Sequence, residues 1–112
     1  MSTAEFNETI HAPLRLRICA SLASVDTLEF GALRDELQVA DSVLSKHLKV
    51  LADEGFVALD KPTGRGGRPK TWARITKAGQ KALAGHIAAL RELAEMADLG
   101  GTLPAPAPAE RT

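Results

Sequence analysis

Apolar residues recur at helical spacing in four segments of the chain. These segments predict helices over residues 13–23, 31–37, about 41–54 and about 76–98. Proline suits the start of the first helix, because the N–H group that it lacks has no helical partner there. Asp41 or Ser42 can cap the third helix and Thr76 the last, since short polar side chains accept hydrogen bonds from the first turn. Gly55 suits the left-handed residue that ends a helix.

Two further segments have the composition of strands. Residues 56–61 and 71–75 flank a stretch, 62–70, that is rich in glycine and proline, and together they predict a hairpin with a long tip. Leu28 to Phe30 predicts one additional short strand. The second and third helices are joined by only a few residues, which is typical of a helix-turn-helix. The predicted fold class is therefore α+β and mostly helical.

The two ends of the chain differ from the part between them. Residues 1–9 are polar apart from Phe6 and predict an N-terminal arm or a short helix. Residues 100–112 open with two glycines and then alternate proline with alanine, a composition that favours a disordered tail. The sequence of 112 residues thus predicts one domain, residues 10–99, whose last helix is the candidate dimerisation element.

The net charge of zero conceals a basic segment. Residues 61–81 contain 7 Lys/Arg and no Asp/Glu, whereas residues 1–60 contain 5 and 10, and residues 82–112 contain 2 and 4. A block of this kind needs an anionic partner or full solvation. The sequence shows neither a membrane-spanning run nor a signal peptide, and Cys19 is alone, so we expect a cytoplasmic protein without membrane contact or an internal disulfide.

The third helix has two chemically different faces. A helical wheel places three leucines in one sector and hydroxyls, lysines and one acid on the opposite side: Ser42, Ser45, Lys46, Lys49 and Asp53. A helix inserted in the major groove of DNA needs such a face, with short polar groups for base edges and cations for phosphates. An ordinary solvated helix surface is the alternative.

The predicted hairpin tip strengthens the first interpretation. Arg65, Arg68 and Lys70 lie among glycines and prolines, where they cannot contribute to a core. Arginines in such a loop can enter a minor groove or lie along phosphates. Four more cations flank the tip, namely Lys61, Arg74, Lys77 and Lys81. A loop that only aids solubility is the alternative.

In this order, the elements form a winged helix-turn-helix with a two- or three-stranded wing sheet and a long C-terminal helix. Residues 44–51 (LSKHLKVL) and 54–57 (EGFV) resemble the recognition helix and following strand of bacterial repressors of the MarR and ArsR type. Residues 67–72 (GRPKTW) and 75–79 (ITKAG) resemble the wing and last helix of the MarR-like subgroup, and residues 11–18 (HAPLRLRI) also resemble these regulators.

The resemblance implies a homodimeric transcription factor that binds double-stranded DNA. By position it implies base or phosphate contacts from the third helix and contacts from the wing, made by Ser42, Ser45, Lys46, Lys49, Arg65, Arg68 and Lys70. The chain departs from metal-sensing ArsR-type proteins, which carry cysteine pairs or clusters of histidine and carboxylates. It has one cysteine and 3 scattered histidines.

Five residues allow two interpretations each. His47 either packs against the base of the wing or contacts a phosphate. His11 and His86 are structural or belong to an intersubunit metal site. Cys19 is a small core residue or a redox sensor, and Trp72 anchors the wing to the core or stacks on a base.

The last helix carries more apolar surface than its own domain needs. One stripe contains Leu83, Ile87, Leu90, Ala94 and Ala97, and a second stripe beside it contains Ala82, Ala89, Leu93 and Met96. At 1.5 Å per residue, the helix is about 34 Å long. Pairing with the same helix of a second copy would cover this surface. The alternative is a helix that folds back over the first helix of its own chain.

The leading functional hypothesis is a sequence-specific transcriptional regulator, a dimeric repressor that reads a palindromic site with helix 42–54 in the major groove. The alternative is a winged-helix interaction module whose basic wing binds an acidic protein. No motif indicates an enzyme, a cofactor, a resident metal or a small-molecule effector. The sequence does not identify the operator or the regulated genes, nor does it distinguish repression from activation.

Overall fold

The structure of the protein is a computed structural model that describes residues 4–61 and 70–97. Its elements, in chain order, are α1 (Glu8–His11), α2 (Pro13–Ala23), β1 (Leu28–Glu29), α3 (Phe30–Leu37), α4 (Asp41–Asp53), β2 (Val57–Asp60), β3 (Trp72–Ile75) and α5 (Lys77–Met96). The predicted fold class is confirmed. The expected tail, 100–112, and most of the expected hairpin tip lie outside the described residues.

The strands form a small antiparallel sheet in the order β1-β3-β2. β2 pairs with β3 so that Val57 lies opposite Ile75, and β1 pairs with the other edge of β3. Ala73 and Ile75 point into the core, whereas Trp72 and Arg74 face outward. The expectation that Trp72 anchors the wing to the core is therefore wrong, because the two-residue period of the strand buries its neighbour Ala73 instead.

The helix-turn-helix consists of α3 and α4. The turn begins at Gln38, whose φ of 56° is left-handed and ends α3. Arg34 near the end of α3 donates to the carboxylate of Asp41 at the start of α4, with an N–O distance of 3.0 Å. The N-cap of α4 is Ala40, without a side-chain cap, so the prediction that Asp41 or Ser42 caps this helix is wrong. The Asp41 carboxylate is instead bound to Arg34.

The core lies where α2, α3, α4 and the sheet meet. Each helix buries residues spaced by three or four positions, as an amphipathic helix requires. The buried apolar residues are Ile10, Ile18, Cys19, Leu22, Leu33, Leu37, Leu44, Leu48, Leu51, Val57, Ala73 and Ile75. The predicted inward faces of the first three helices are confirmed.

A hydrogen-bonded corner joins the end of α4 to the beginning of α5. The Thr76 hydroxyl accepts from the Gly79 N–H at 2.9 Å, which confirms the predicted cap, and donates to the Gly55 carbonyl at 2.7 Å. The Thr76 N–H donates to the Phe56 carbonyl at 2.9 Å. Gly55 itself has φ 81°, as expected for the residue that ends α4. These bonds fix the direction of α5 relative to the end of α4.

Gly79 lets this corner close. A Cβ atom at this position would overlap the Phe56 carbonyl oxygen and lie 2.8 Å from Cγ1 of Ile75. We expect Gly79→Ala to lower the free energy of unfolding by about 3 kcal/mol, because the backbone of Phe56 cannot move without breaking the corner. The sign is diagnostic, since the same change in an unobstructed helix stabilises by about 1 kcal/mol.

Urea unfolding followed by circular dichroism would measure this effect. Ala78→Gly is the matched control, because Ala78 is exposed one position earlier in the same turn. It should cost only about 1 kcal/mol, the difference in helix propensity. A stable Gly79→Ala variant would show that the contact with Phe56 is looser than the structure indicates.

The last helix, α5, packs against α1, α2 and β3. Its fully buried residues are Gly79, Gly85 and His86, all in the first half. The second half continues the apolar surface without cover from the other residues that the structure describes, and Leu93 and Met96 are 49% and 81% exposed. No helix among the described residues has the length and hydropathy needed to cross a membrane.

Candidate nucleic-acid interface

The exposed face of α4 carries the polar residues that the helical wheel placed there. Ser42, Ser45, Lys46 and Lys49 are all exposed, while the leucines on the opposite face are buried. The predicted division of the two faces is thereby confirmed. Val43, which the sequence interpretation passed over, is also 40% exposed in the first turn of this helix. It adds an apolar group of the kind that contacts thymine methyls.

Lys49 has an intramolecular partner. Its ammonium lies 3.3 Å from a carboxylate oxygen of Asp53, one turn further along α4, and both side chains are largely exposed. An exposed pair of this kind contributes little to stability. Lys49 can therefore exchange Asp53 for a phosphate at small cost, whereas Lys46 makes no salt bridge within the described residues.

The side chain of His47 is hydrogen-bonded to Arg15 of α2. The Arg15 guanidinium donates from Nη1 to Nδ1 of His47 at 3.0 Å and from Nε to the Thr9 carbonyl at 2.6 Å. Neither interpretation of His47 from the sequence, packing against the base of the wing or contact with a phosphate, included this bond. Burial lowers the pKa of His47, and the positive charges of Arg15 and Lys46 lower it further. Its neutral form, with Nδ1 accepting, leaves the proton on Nε2.

Arg15 is a residue that the sequence interpretation missed. It lies three, four and seven positions before Ile18, Cys19 and Leu22, which are buried. A charged residue at the first position of such a stripe signals a side chain with specific partners, because an unpaired buried charge is costly. The wheel therefore contained a signal for Arg15, although it gave no indication that His47 is the partner.

The hairpin stands beside α4. An open groove of about 380 Å³ separates them and is lined by residues that include Ser45 and Lys49 of α4, Leu59 of β2, Lys61 and Thr71. Lys70, the described residue of the predicted wing set, is exposed, and so are the flanking cations Lys61, Arg74, Lys77 and Lys81. Arg65 and Arg68 lie outside the described residues. The basic side chains thus extend from α4 across the hairpin base to the start of α5.

The structure brings two of the histidines together within one chain. Nδ1 of His11 lies 3.2 Å from Nε2 of His86, and His86 is completely buried. Across residues 4–61 and 70–97, no group of three His, Cys, Asp or Glu side chains is arranged to hold a metal ion. Cys19 is a buried core residue, and burial raises the pKa of its thiol to about 11. The thiol is therefore neutral at pH 7, unlike a reactive cysteine.

These features together define a class of protein. A helix-turn-helix presents its second helix with an exposed face of hydroxyls and cations, and a hairpin with basic flanks stands beside it. Backbone-binding cations beside a helix that can enter the major groove are the elements of a winged-helix DNA-binding domain.

Comparison with known proteins identifies the family. The family model for the winged helix DNA-binding domain matches residues 14–94, and the chain belongs to this family. An uncharacterized protein of Methanocaldococcus jannaschii is 34% identical over 82 residues, which cover 73% of this chain and 88% of the relative.

Solved structures share the same fold. A transcriptional regulator homologue from Pyrococcus horikoshii OT3 has a TM-score of 0.76 and 25% identity, over 83% of this chain and 91% of the other. A MarR family transcriptional regulator from Silicibacter pomeroyi has a TM-score of 0.63 and 26% identity, over 88% of this chain and 62% of the other. The resemblance to MarR-like regulators that the motifs suggested is confirmed.

Proposed function

We propose that the protein is a dimeric, sequence-specific regulator of transcription in the cytoplasm, acting as a repressor at a palindromic site. α4 enters the major groove, and the hairpin with residues 62–70 lies on the backbone or in the adjacent minor groove. The observation that carries the proposal is the division of α4, whose leucines fill the core while its serines and lysines are exposed together.

The distribution of charge supports this assignment. Lys46 and Lys49 lie on α4, and five further exposed cations lie on or beside the hairpin: Lys61, Lys70, Arg74, Lys77 and Lys81. Cations on both sides of a groove-binding helix fix its register through phosphate contacts, while short side chains on the helix read the bases. Two structural neighbours bear the name of transcriptional regulators, which agrees with this function.

The uncovered half of α5 supports a dimer. Leu83, Ile87, Leu90 and Ala94 of the first apolar stripe are only partly buried. Leu93 of the second stripe is 49% exposed. In a symmetric dimer these residues pack against their counterparts, and the two α4 helices are presented to half-sites one turn of DNA apart, about 34 Å.

The proposal is tested by isolating bound sequences. Random DNA selected on the purified protein should yield an inverted repeat, and promoter fragments flanking the protein's own gene should shift in a gel at moderate salt. A random duplex of equal length is the control and should bind at least about a thousandfold more weakly. Absence of any DNA binding at low salt would refute the function. Binding to an acidic protein in its place would identify an interaction module.

Substitutions on α4 should separate base reading from phosphate binding. Ser45 and Lys46 lie in the first two turns, the part of a recognition helix that contacts base edges. We expect Ser45→Ala or Lys46→Ala to change the preferred base at one position of each half-site, at a cost of about 1–3 kcal/mol in discrimination.

Lys49→Ala is the control for this prediction. Lys49 lies further along α4 and is expected to contact a phosphate, so its loss should weaken selected and random DNA by the same factor. Selection on each variant, followed by sequencing, measures both effects. If Ser45→Ala and Lys46→Ala also weaken the two DNAs equally, the assignment of base reading to this pair is wrong.

A further inference from the structure

The N-terminal arm, residues 4–7, is bound to the last helix. The Glu5 N–H donates to the Gly85 carbonyl at 2.9 Å. The Asn7 N–H donates to Nδ1 of His86 at 3.0 Å. Between these bonds, the Phe6 ring packs against two imidazoles, with its centroid 4.7 Å from that of His11 and 4.7 Å from that of His86. The two histidines therefore lie at the centre of the contact between the arm and α5.

The hydrogen bonds fix the protonation of both rings. Because the Asn7 N–H must donate, Nδ1 of His86 accepts and carries no proton. The proton of neutral His86 is then on Nε2, which lies 3.2 Å from Nδ1 of His11 and donates to it. His11 in turn carries its proton on Nε2. The hydrogen bonds from Asn7 to His86 and from His86 to His11 are both satisfied only when both imidazoles are neutral.

A proton added to either imidazole breaks one of these two hydrogen bonds. Protonated His11 has an N–H at Nδ1, which would face the Nε2–H of His86. Protonated His86 has an N–H at Nδ1, which would face the Asn7 N–H. Either event places two donors against each other. On His86, which is completely buried, desolvation also disfavours the added positive charge.

The surrounding charges agree with a neutral pair. Burial lowers the pKa of His86, the positive form of His11 lowers it further, and Glu8 opposes them. The other titratable groups described on the arm and on α2 near this contact are Glu5, the neutral buried Cys19, and Arg15. The Arg15 guanidinium is hydrogen-bonded to the Thr9 carbonyl and to His47. The docked state therefore binds fewer protons than the released state and is lost as the pH falls below the ordinary histidine value.

The same segment reaches the recognition helix. The Thr9 carbonyl of α1 accepts from Arg15, and Arg15 donates to His47 on α4, at 2.6 Å and 3.0 Å. Thr9 lies in α1, two residues before His11. If α1 moves away from α5, the Thr9 carbonyl moves with it. Arg15 then loses one of its two hydrogen-bond partners, and its orientation towards His47 is less constrained.

We propose that the arm and α1 form a proton-released strap that joins the last helix to the recognition helix. The strap is closed while the His11–His86 pair is neutral. Acidification opens it, frees residues 4–7 from α5 and loosens the contact between Arg15 and His47. The effector is the proton, and its site is the histidine pair.

Hydrogen exchange of individual amides in the free protein tests the strap. The Asn7 and Glu5 amides should be protected at pH 7.5. After correction for intrinsic exchange, their protection should fall about tenfold per pH unit for each linked proton, as the pH drops from the ordinary histidine value towards the release midpoint. The α4 amides near His47 should change their chemical shifts at the same midpoint.

Two variants separate the histidine pair from other titrations. In His11→Gln, the amide oxygen still accepts from His86 and takes up no proton, so we expect the midpoint to fall by about one pH unit. His47→Gln removes the other histidine with a lowered pKa and should leave the Asn7 midpoint unchanged. A midpoint that follows His47→Gln instead of His11→Gln would overturn the assignment.

A measurement on the unaltered chain removes any dependence on the variants. Nitrogen-15 spectra of the imidazoles at pH 7.5 should show His86 protonated at Nε2 and unprotonated at Nδ1. The opposite tautomer, or constant protection of Asn7 from pH 7.5 to 5, would refute the strap. Release of the arm without a change in α4 would refute the connection to the recognition helix. None of these readouts requires DNA, so they are independent of the proposed function.

Discussion

Replacing Leu90 and Leu93 together by aspartate is expected to convert a dimer into a monomer. Both residues continue the stripe of α5 that is buried at Gly79 and His86 and becomes uncovered towards Met96. In a symmetric dimer, the two new carboxylates of one copy would lie against the two new carboxylates of the other, in an interface without water to solvate them. The cost of burying unpaired charges exceeds the free energy that a small helical interface supplies.

Loss of the dimer has a second expected consequence for DNA. Two linked recognition helices bind a palindrome far more tightly than one, because the second half-site is reached at high effective concentration. We expect operator affinity to fall by at least about a thousandfold, to the level of non-specific binding. Sedimentation velocity at micromolar concentration measures assembly, and a gel shift on the selected operator measures affinity.

The control for this pair is Arg91→Asp. Arg91 lies on the same turn and is exposed on the polar side of α5. Its replacement by aspartate changes the net charge by two units, as the double leucine variant does. It should leave the dimer intact. Leu93→Asp alone is the variant to measure if the double variant does not fold. It is expected to fold, because Leu93 is 49% exposed in the single chain. A wild-type chain that sediments as a monomer would refute the dimer and favour a helix that serves only its own domain.

The main elements follow from the sequence because each buries one face. The period of the leucines in α4 specifies which side is inward, and glycine at position 55 specifies where α4 ends. The alternation in β3 predicts a half-buried strand but did not identify its inward face, because Trp72 was expected there and Ala73 is buried instead. These signals are local, since they depend on residues a few positions apart. The order of the elements then limits the fold to a winged helix, and the exposed face of α4 follows from the same wheel that predicts its core.

Contacts between distant residues did not follow from the sequence. Asp41 is a good capping residue by type, but its carboxylate is bound by Arg34 from the preceding helix. His86 lies three and four positions after Leu83 and Ala82, on the inward stripe of α5, which indicates burial. Its partners Asn7 and His11 are 79 and 75 residues away along the chain. A single sequence contains no signal that pairs them, so the strap became visible only in the folded chain.

Removing both wing arginines is expected to change how DNA binding responds to salt. If each subunit neutralises about four phosphates, the dimer contacts about eight, and the logarithm of the association constant falls with that of the salt concentration at a slope near −7. Arg65→Ala with Arg68→Ala deletes two contacts per subunit. The slope should then flatten by about one per lost contact, to near −3, while affinity falls for every sequence alike.

A charge-matched variant distinguishes direct contacts from the overall field of the protein. Arg17 on α2 and Arg91 on α5 are both exposed, and neither lies on the proposed interface. Arg17→Ala with Arg91→Ala removes the same charge as the wing variant, yet it should leave the slope near −7, because counterion release depends on the phosphates that are contacted. Titrations from low to moderate salt on the selected operator give both slopes. If the wing variant keeps the slope of the unaltered protein, residues 65 and 68 do not touch DNA, and the cations of α4 and the hairpin base carry the electrostatic binding.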